Sequence, residues 1–210
     1  MKLPALCLLL SAALLWGACG DDDNPPDLAP SDDPADYEVD TTVSYRIEVS
    51  EPRWVVPSDG LPQELELDVS NANVDIIFHL DRLFMAWRNA PYHFASEDTV
   101  MHIVSSTDGG ETWEHEGQVD MDTDLREPRF VSFQGRLQLI FFEAGTNFVA
   151  FEPIRMWRMF RKGRGSWTEP EVLVDGPEVP WRVKVRDGLV WMTSYAGEHY
   201  GGEDARVEVR

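Results

Sequence analysis

Cysteine is nearly absent from this chain: two occur in 210 residues, Cys7 and Cys19. Cys7 lies in an apolar N-terminal run, so removal of that run leaves a single thiol. No disulfide within one chain is then available, and the fold must rest on packing. Basic residues are also scarce, 18 Lys and Arg against 38 Asp and Glu, for a formal charge of −20. Nucleic-acid binding needs clustered Lys and Arg against phosphates, so no nucleic-acid partner is expected. No apolar run reaches the ~20 residues that a bilayer-spanning helix needs. The body of the chain also lacks a convincing helical period.

The N-terminus does carry a pattern. Lys2 precedes an apolar run from Leu3 to Trp16, followed by Gly17-Ala18-Cys19. A positive start, a short apolar core and small residues before a cut site describe a secretory signal. Residues 14 to 19, LLWGAC, resemble the lipobox of bacterial lipoproteins, with Trp16 replacing the usual aliphatic residue. The resemblance implies a signal peptide over 1–18 and a diacylglycerol on Cys19. It also implies a membrane reached through that lipid and residence in the bacterial cell envelope. Acyl chains at ~0.8 kcal/mol per buried CH₂ would make the anchor stable. An ordinary secretory signal with a chance Cys is the plainer alternative. Gly20 to Asp40 holds nine acidic residues, four prolines and no Lys or Arg. Such a composition cannot offset its ordering entropy, so residues 19–43 read as the lipidated Cys and a disordered acidic tether.

Residues 44–210 alternate short Val-, Ile-, Phe-, Trp- and Tyr-rich runs with Gly, Pro, Asn and Asp, which is strand-and-turn chemistry. Three segments align: HLDRLFMAW (79–87), FQGRLQLIF (133–141) and VRDGLVWMT (185–193). Anchored on Leu83, Leu137 and Leu189 they recur after 54 and 52 residues, and Trp113 and Trp167 are also 54 apart. A period near fifty with several strands per unit is the pattern of a β-propeller blade. Unit one is expected over about 73–121 and unit two over about 125–174, with unit three starting near 178. The fold class is therefore all-β, with about two and a half four-stranded blades of a larger ring.

Between two predicted strands lies SSTDGGETW (105–113). Ser106, Asp108, Gly110, Thr112 and Trp113 fill the S-x-D-x-G-x-T-W pattern and resemble the Asp-box of the sialidase superfamily. An Asp carboxylate can accept backbone N–H groups across a tight turn, and Gly permits positive φ. Gly163-Arg164-Gly165-Ser166-Trp167 is a decayed copy in unit two. In that family the box joins the third and fourth strands of a blade, on the face opposite the ligand. The resemblance covers the chain from about residue 70 and implies six blades, so the sequence reads as part of a longer ring.

On the same plan the ligand face comprises the fourth-to-first connections, the starts of the inner strands and the second-to-third loops. These hold Asp75, Arg88, His93, Arg126, Glu127, Arg129, Arg182 and Tyr195, the candidate site residues. Glu127 and Arg129 alternate along an inner strand and should share a side. Arg129 and Arg182 should project from neighbouring blades, to grip an anion or to make structural ion pairs. In sialidases three arginines clasp a carboxylate, a Tyr–Glu pair is the nucleophile and an Asp is the acid and base. The first of those arginines sits in a Tyr-Arg-Ile-Pro motif, where this chain has Asn73-Val74-Asp75-Ile76. Tyr45-Arg46-Ile47-Glu48 is similar but lacks the Pro and comes too early. No catalytic residue can be carried over. Asp120, Asp122 and Asp124 have the alternate spacing of a calcium loop, without the Gly and Glu an EF-hand requires. Two readings remain: an exo-acting glycoside hydrolase, or a non-catalytic module that binds a glycan or a protein.

Overall fold

The computed structural model describes residues 42–44, 46, 49–196 and 206–210. The expected signal, Cys19, the tether to residue 41 and most of the Tyr45–Glu48 segment lie outside them. Among the described residues twelve strands form three antiparallel meanders placed side by side. Blade 1 is β1 (Ser70–His79), β2 (Arg82–Ala90), β3 (Val100–Ser106) and β4 (Glu114–Val119), hydrogen-bonded in that order. Blade 2 is β5 (Leu125–Phe133), β6 (Arg136–Glu143) and β7 (Arg155–Gly163). Its fourth strand is split into β8 (Ser166–Trp167) and β9 (Glu171–Val174), both paired with β7. Blade 3 is β10 (Glu178–Arg186), β11 (Leu189–Ala196) and β12 (Arg206–Val209). First strands neighbour first strands, β1 beside β5 and β5 beside β10, which is the arrangement of a β-propeller around its channel. No helix among the described residues is long and apolar enough to cross a membrane.

The sequence spacing becomes a register. Phe78 opposes Leu83, Ser132 opposes Leu137, and Val185 opposes Val190. Val190 therefore occupies the third-blade position that the repeat assigned to Leu189, one residue earlier in the chain. Leu189 is left half exposed. Every inner strand also carries a bulge near its start, between Ala72 and Asp75, Arg126 and Arg129, and Pro180 and Arg182.

Blades adhere through apolar faces. Strand β6 is apolar on both faces because it lies between two blades, so it reads as a continuous run rather than an alternation. Leu137, Leu139 and Phe141 pack with Phe84, Ala86 and Ile103 of blade 1. Ile140 and Phe142 pack with Val179 and Met192 of blade 3. The far face of blade 1, with Met85, Trp87, Val104 and Trp113, is covered by Leu61 and partly by Val55, Leu65 and Leu67. Trp87 is buried in blade 1, whereas Trp181 and Trp191 are exposed on blade 3.

Two polar hubs stitch blade 1 to blade 2. Glu116 on β4 has a fully buried side chain. It accepts hydrogen bonds from Ser105 Oγ (2.8 Å), the Gly165 N–H (3.0 Å) and Arg161 Nε and Nη2 (both 3.1 Å). Its own carbonyl accepts Trp167 Nε1 at 3.1 Å. Burial pushes this carboxyl upward, but the hydrogen bonds from Arg161, Gly165 and Ser105 together hold it below the usual carboxylate range. Nothing in the sequence marked Glu116, because a Glu in a predicted strand resembles any surface acid. The second hub is Asp124, described with the site.

Candidate functional site

The motif-bearing turn stands between β3 and β4. Ser106 Oγ donates to Asp108 Oδ1 at 2.7 Å and accepts the Gly110 N–H at 2.8 Å. Asp108 also accepts the Glu111 and Thr112 N–H groups and the Thr112 hydroxyl, the last at 2.6 Å. The Thr112 hydroxyl and N–H, with Ser106, hold the Asp108 carboxyl far below the ordinary carboxylate range. Trp113 folds inward beside Trp87 and Leu61, and its N–H donates to the Gly60 carbonyl at 2.9 Å. The motif is thus wholly occupied in building a turn.

The opposite end of the blades carries the second-to-third loops, residues 91–99 and 144–154, and the fourth-to-first connection at 120–124. His93, Phe94, Arg126, Phe148, Val149 and Phe151 are among the residues lining a cleft of about 450 Å³ there. The Phe94 and Phe148 rings lie 4.8 Å apart at 47°, and Tyr92 meets Phe148 edge-on at 5.3 Å. All three rings are exposed, Phe94 at 54% and Phe148 at 51%. His93 is exposed beside Phe94, with ring centres 6.1 Å apart. The Phe residues of loop 144–154 had given no signal, since an aromatic in a predicted loop could equally be a misplaced core residue.

The arginines fare differently from expectation. Arg88 stands at the base of the 91–99 loop with its side chain fully buried. Its Nε donates to Asp124 Oδ1 at 2.6 Å, and its terminal nitrogens donate to the Tyr92 and Phe94 carbonyls at 3.1 and 2.8 Å. It is the strut that holds the 91–99 loop. Arg126 donates to Asp124 Oδ2 at 2.6 Å and to the His93 carbonyl at 2.7 Å. Asp124 also accepts the Thr99 hydroxyl at 3.0 Å. This buried carboxylate is engaged by two guanidinium groups, whereas Asp120 and Asp122 are exposed. Among the described residues no group of three or more His, Cys, Asp or Glu could hold a metal ion.

Glu127 and Arg129 do meet, as an ion pair on β5. The pair is internal: Arg129 also donates to the Trp181 carbonyl at 2.8 Å and to the Pro128 carbonyl at 2.7 Å. Glu127 accepts from Asn73 Nδ2 at 2.5 Å. Arg182 is exposed and forms no side-chain hydrogen bond or ion pair among the described residues, whereas Arg129 is already engaged by Glu127. Tyr195 packs edge-on to Trp181, ring centres 5.6 Å apart. Asp75 is half-buried on β1 and accepts the Phe130 N–H at 2.6 Å. Burial, the largest influence, raises its carboxyl above the ordinary value despite the Phe130 N–H and nearby Arg129. Asp75, Arg129 and Arg182 follow the bulge on three successive inner strands, opposite Ala86, Ile140 and Thr193.

No protein-family model matches the chain, and no curated protein matches it. Among solved structures it is similar to an α-L-arabinofuranosidase from Lactobacillus brevis, at 14% identity and a TM-score of 0.46. That match covers 65% of this chain and 47% of the other. The α-L-arabinanase of Penicillium chrysogenum, in complex with arabinobiose, is 16% identical with a TM-score of 0.45, over 61% and 39% of the two chains. An α-L-arabinofuranosidase of Fusarium graminearum bound to an iminosugar inhibitor gives 12%, 0.46, 65% and 44%. The chain spans less than half the length of each.

Proposed function

We propose that this protein binds glycans on the loop face of its propeller, and that the sugar it prefers is neutral. The Phe94–Phe148 pair, half exposed above an open cleft, carries this reading. The C–H faces of a sugar ring stack on exposed aromatic faces, and polar groups at the rim fix its orientation. His93 and the remaining Arg126 N–H groups stand at that rim. Recognition of the sialidase type would need guanidinium forks free for a carboxylate. Here Arg88 and Arg126 are held by Asp124 and Arg129 by Glu127, which disfavours an acidic sugar. Lipidation at Cys19 would set this face out from the bacterial envelope on the acidic tether.

A second reading, an exo-acting glycoside hydrolase, is favoured by Asp75. A carboxyl lifted by burial on a channel-lining strand is what a general acid requires.

The test is calorimetric titration with arabinobiose, other neutral oligosaccharides and sialyllactose, beside hydrolysis of fluorogenic arabinosides and sialosides. The expected outcome is binding of a neutral sugar without turnover, weakened about tenfold, or ~1.4 kcal/mol, by Phe148→Ala. Tighter binding of sialyllactose would overturn the preference, and binding of none would overturn the proposal. Turnover abolished by Asp75→Asn would establish the hydrolase instead.

A further inference from the structure

The two aromatic walls of the cleft belong to different blades. Phe94 stands on the loop between β2 and β3, and Phe148 on the loop between β6 and β7. Their rings are nevertheless held 4.8 Å apart. Two exposed loop tips do not keep such a contact unaided, because ordering them opposes it entropically. Something rigid beneath the loops must set their separation. Asp124, buried in the connection from β4 to β5, is bonded to both.

Its main chain fastens the blade 2 wall. The Asp124 N–H donates to the Gly145 carbonyl at 3.1 Å, and the Asp124 carbonyl accepts the Ala144 N–H at 2.8 Å. These bonds carry the β5–β6 ladder past the Leu125–Glu143 pair and into the loop. Gly145 turns the chain there with φ +67°. The Ile154 N–H then returns to the Glu143 carbonyl at 2.8 Å, so the loop closes on its own base.

Its side chain fastens the blade 1 wall. One carboxylate orients two guanidinium groups, which leaves an excess of positive charge in the hub. Charge in a site removed from water must be met by polar groups. The carbonyls of Tyr92 and Phe94 meet it on Arg88, and that of His93 meets it on Arg126. While these three successive carbonyls turn inward, the side chains of Tyr92, His93 and Phe94 stand exposed. The Thr99 hydroxyl, on the same carboxylate, ties down the far end of the loop.

We propose that Asp124 is the positioning residue of this cleft: its main chain holds one loop, its carboxylate holds the other, and together they set Phe94 against Phe148. Asp124 is 0% exposed, so it acts through Arg88, Arg126 and Thr99 and meets no ligand itself. The proposal rests on the reading of the cleft as a glycan site, although the rings are placed before any ligand arrives. Pre-organisation of this kind removes the ordering of two loops from the free energy of binding.

Amide hydrogen exchange and fluorine NMR of the full chain, with para-fluorophenylalanine in place of Phe148, test this without a ligand. Asp124→Asn weakens the hold on the arginines and keeps both main-chain bonds to the second loop. Exchange is expected to quicken about tenfold over residues 92–95 and to stay unchanged over 145–150, since only the first loop opens locally. The fluorine signal should shift as the Phe94 ring moves away. Where Asp124→Asn instead quickens exchange across all strands, Arg126→Gln decides. It frees the His93 carbonyl, spares the Arg88–Asp124 pair and should give the same one-sided pattern. Equal quickening of both loops in Arg126→Gln, or an unmoved fluorine signal in a folded variant, overturns the proposal. Titration with arabinobiose adds a second arm. Binding about tenfold weaker in Asp124→Asn, and no weaker in Asp124→Asn/Phe148→Ala than in Phe148→Ala, marks one shared role. Additive losses overturn it. A parent chain that binds no glycan sinks the glycan reading, and the exchange and fluorine results still decide the role of Asp124.

Discussion

Asn73 and Glu127 occupy the same bulge position in consecutive blades and hydrogen-bond to each other, Asn73 Nδ2 to Glu127 Oε1 at 2.5 Å. Both have left-handed backbone, φ 48° and 50°, which costs a non-glycine residue roughly 1–2 kcal/mol. The neighbours hold them there. Glu127 also pairs with Arg129, and Arg129 reaches the Trp181 carbonyl, so one relay crosses three blades. Glu127→Ala removes the carboxylate that pairs with Arg129 and accepts from Asn73, and is expected to cost about 2 kcal/mol, since hydrogen bonds to charged groups contribute roughly 1.5–3. Urea unfolding measures it.

Asp75 should behave in the opposite sense. Its folded carboxyl is raised above 3.8, mainly by burial. The folded state therefore holds this proton more tightly than the unfolded chain. The stability it contributes is complete below 3.8 and lost as pH rises through the raised value. At neutral pH the charge is a cost. Asp75→Asn keeps an oxygen for the Phe130 N–H and removes that cost. The variant should be more stable at pH 7 than the parent, with the difference vanishing in acid, as thermal melts across pH would show.

Glu116 has the usual carboxylate sign. Its folded value is lowered from 4.5, so its stabilisation is present above 4.5 and lost as pH falls through the lowered value. Glu116→Ala strands Arg161, whose side chain is only 15% exposed, and the Gly165 N–H. Breaking a buried pair from one side costs about 3–5 kcal/mol. Glu116→Gln should cost less and flatten the acid limb of the stability profile.

Gly110 has φ +86°, and a Cβ there would stand 3.0 Å from Cζ2 of Trp113. Gly110→Ala should lose roughly 1–2 kcal/mol from the left-handed backbone alone. The displaced Trp113 adds to this and should report it as changed near-UV dichroism. Asp108→Ala should shift the same signal, since it removes the acceptor for Glu111 and Thr112.

Local chemistry and periodicity by themselves determined the blades of this protein. Turn residues, alternating apolar runs and a recurrence near fifty are properties of neighbouring residues, so they placed the strand clusters and the Ser106–Trp113 turn correctly. The arginines were a different matter. Arg88, Arg126 and Arg129 stand in the right segments, yet each is spent on a carboxylate whose approach depends on how strands pair. Asp124 receives two of them because β2 and the start of β5 converge there, a meeting of residues 36 positions apart. Glu116 is buried only because blade 2 arrives on top of it. The Phe94–Phe148 pair joins loops of two blades, and no spacing encodes which loops will face each other. Charge and hydrophobicity belong to a residue; burial and pairing belong to the assembled blades, so only the tertiary structure could separate struts from a binding surface.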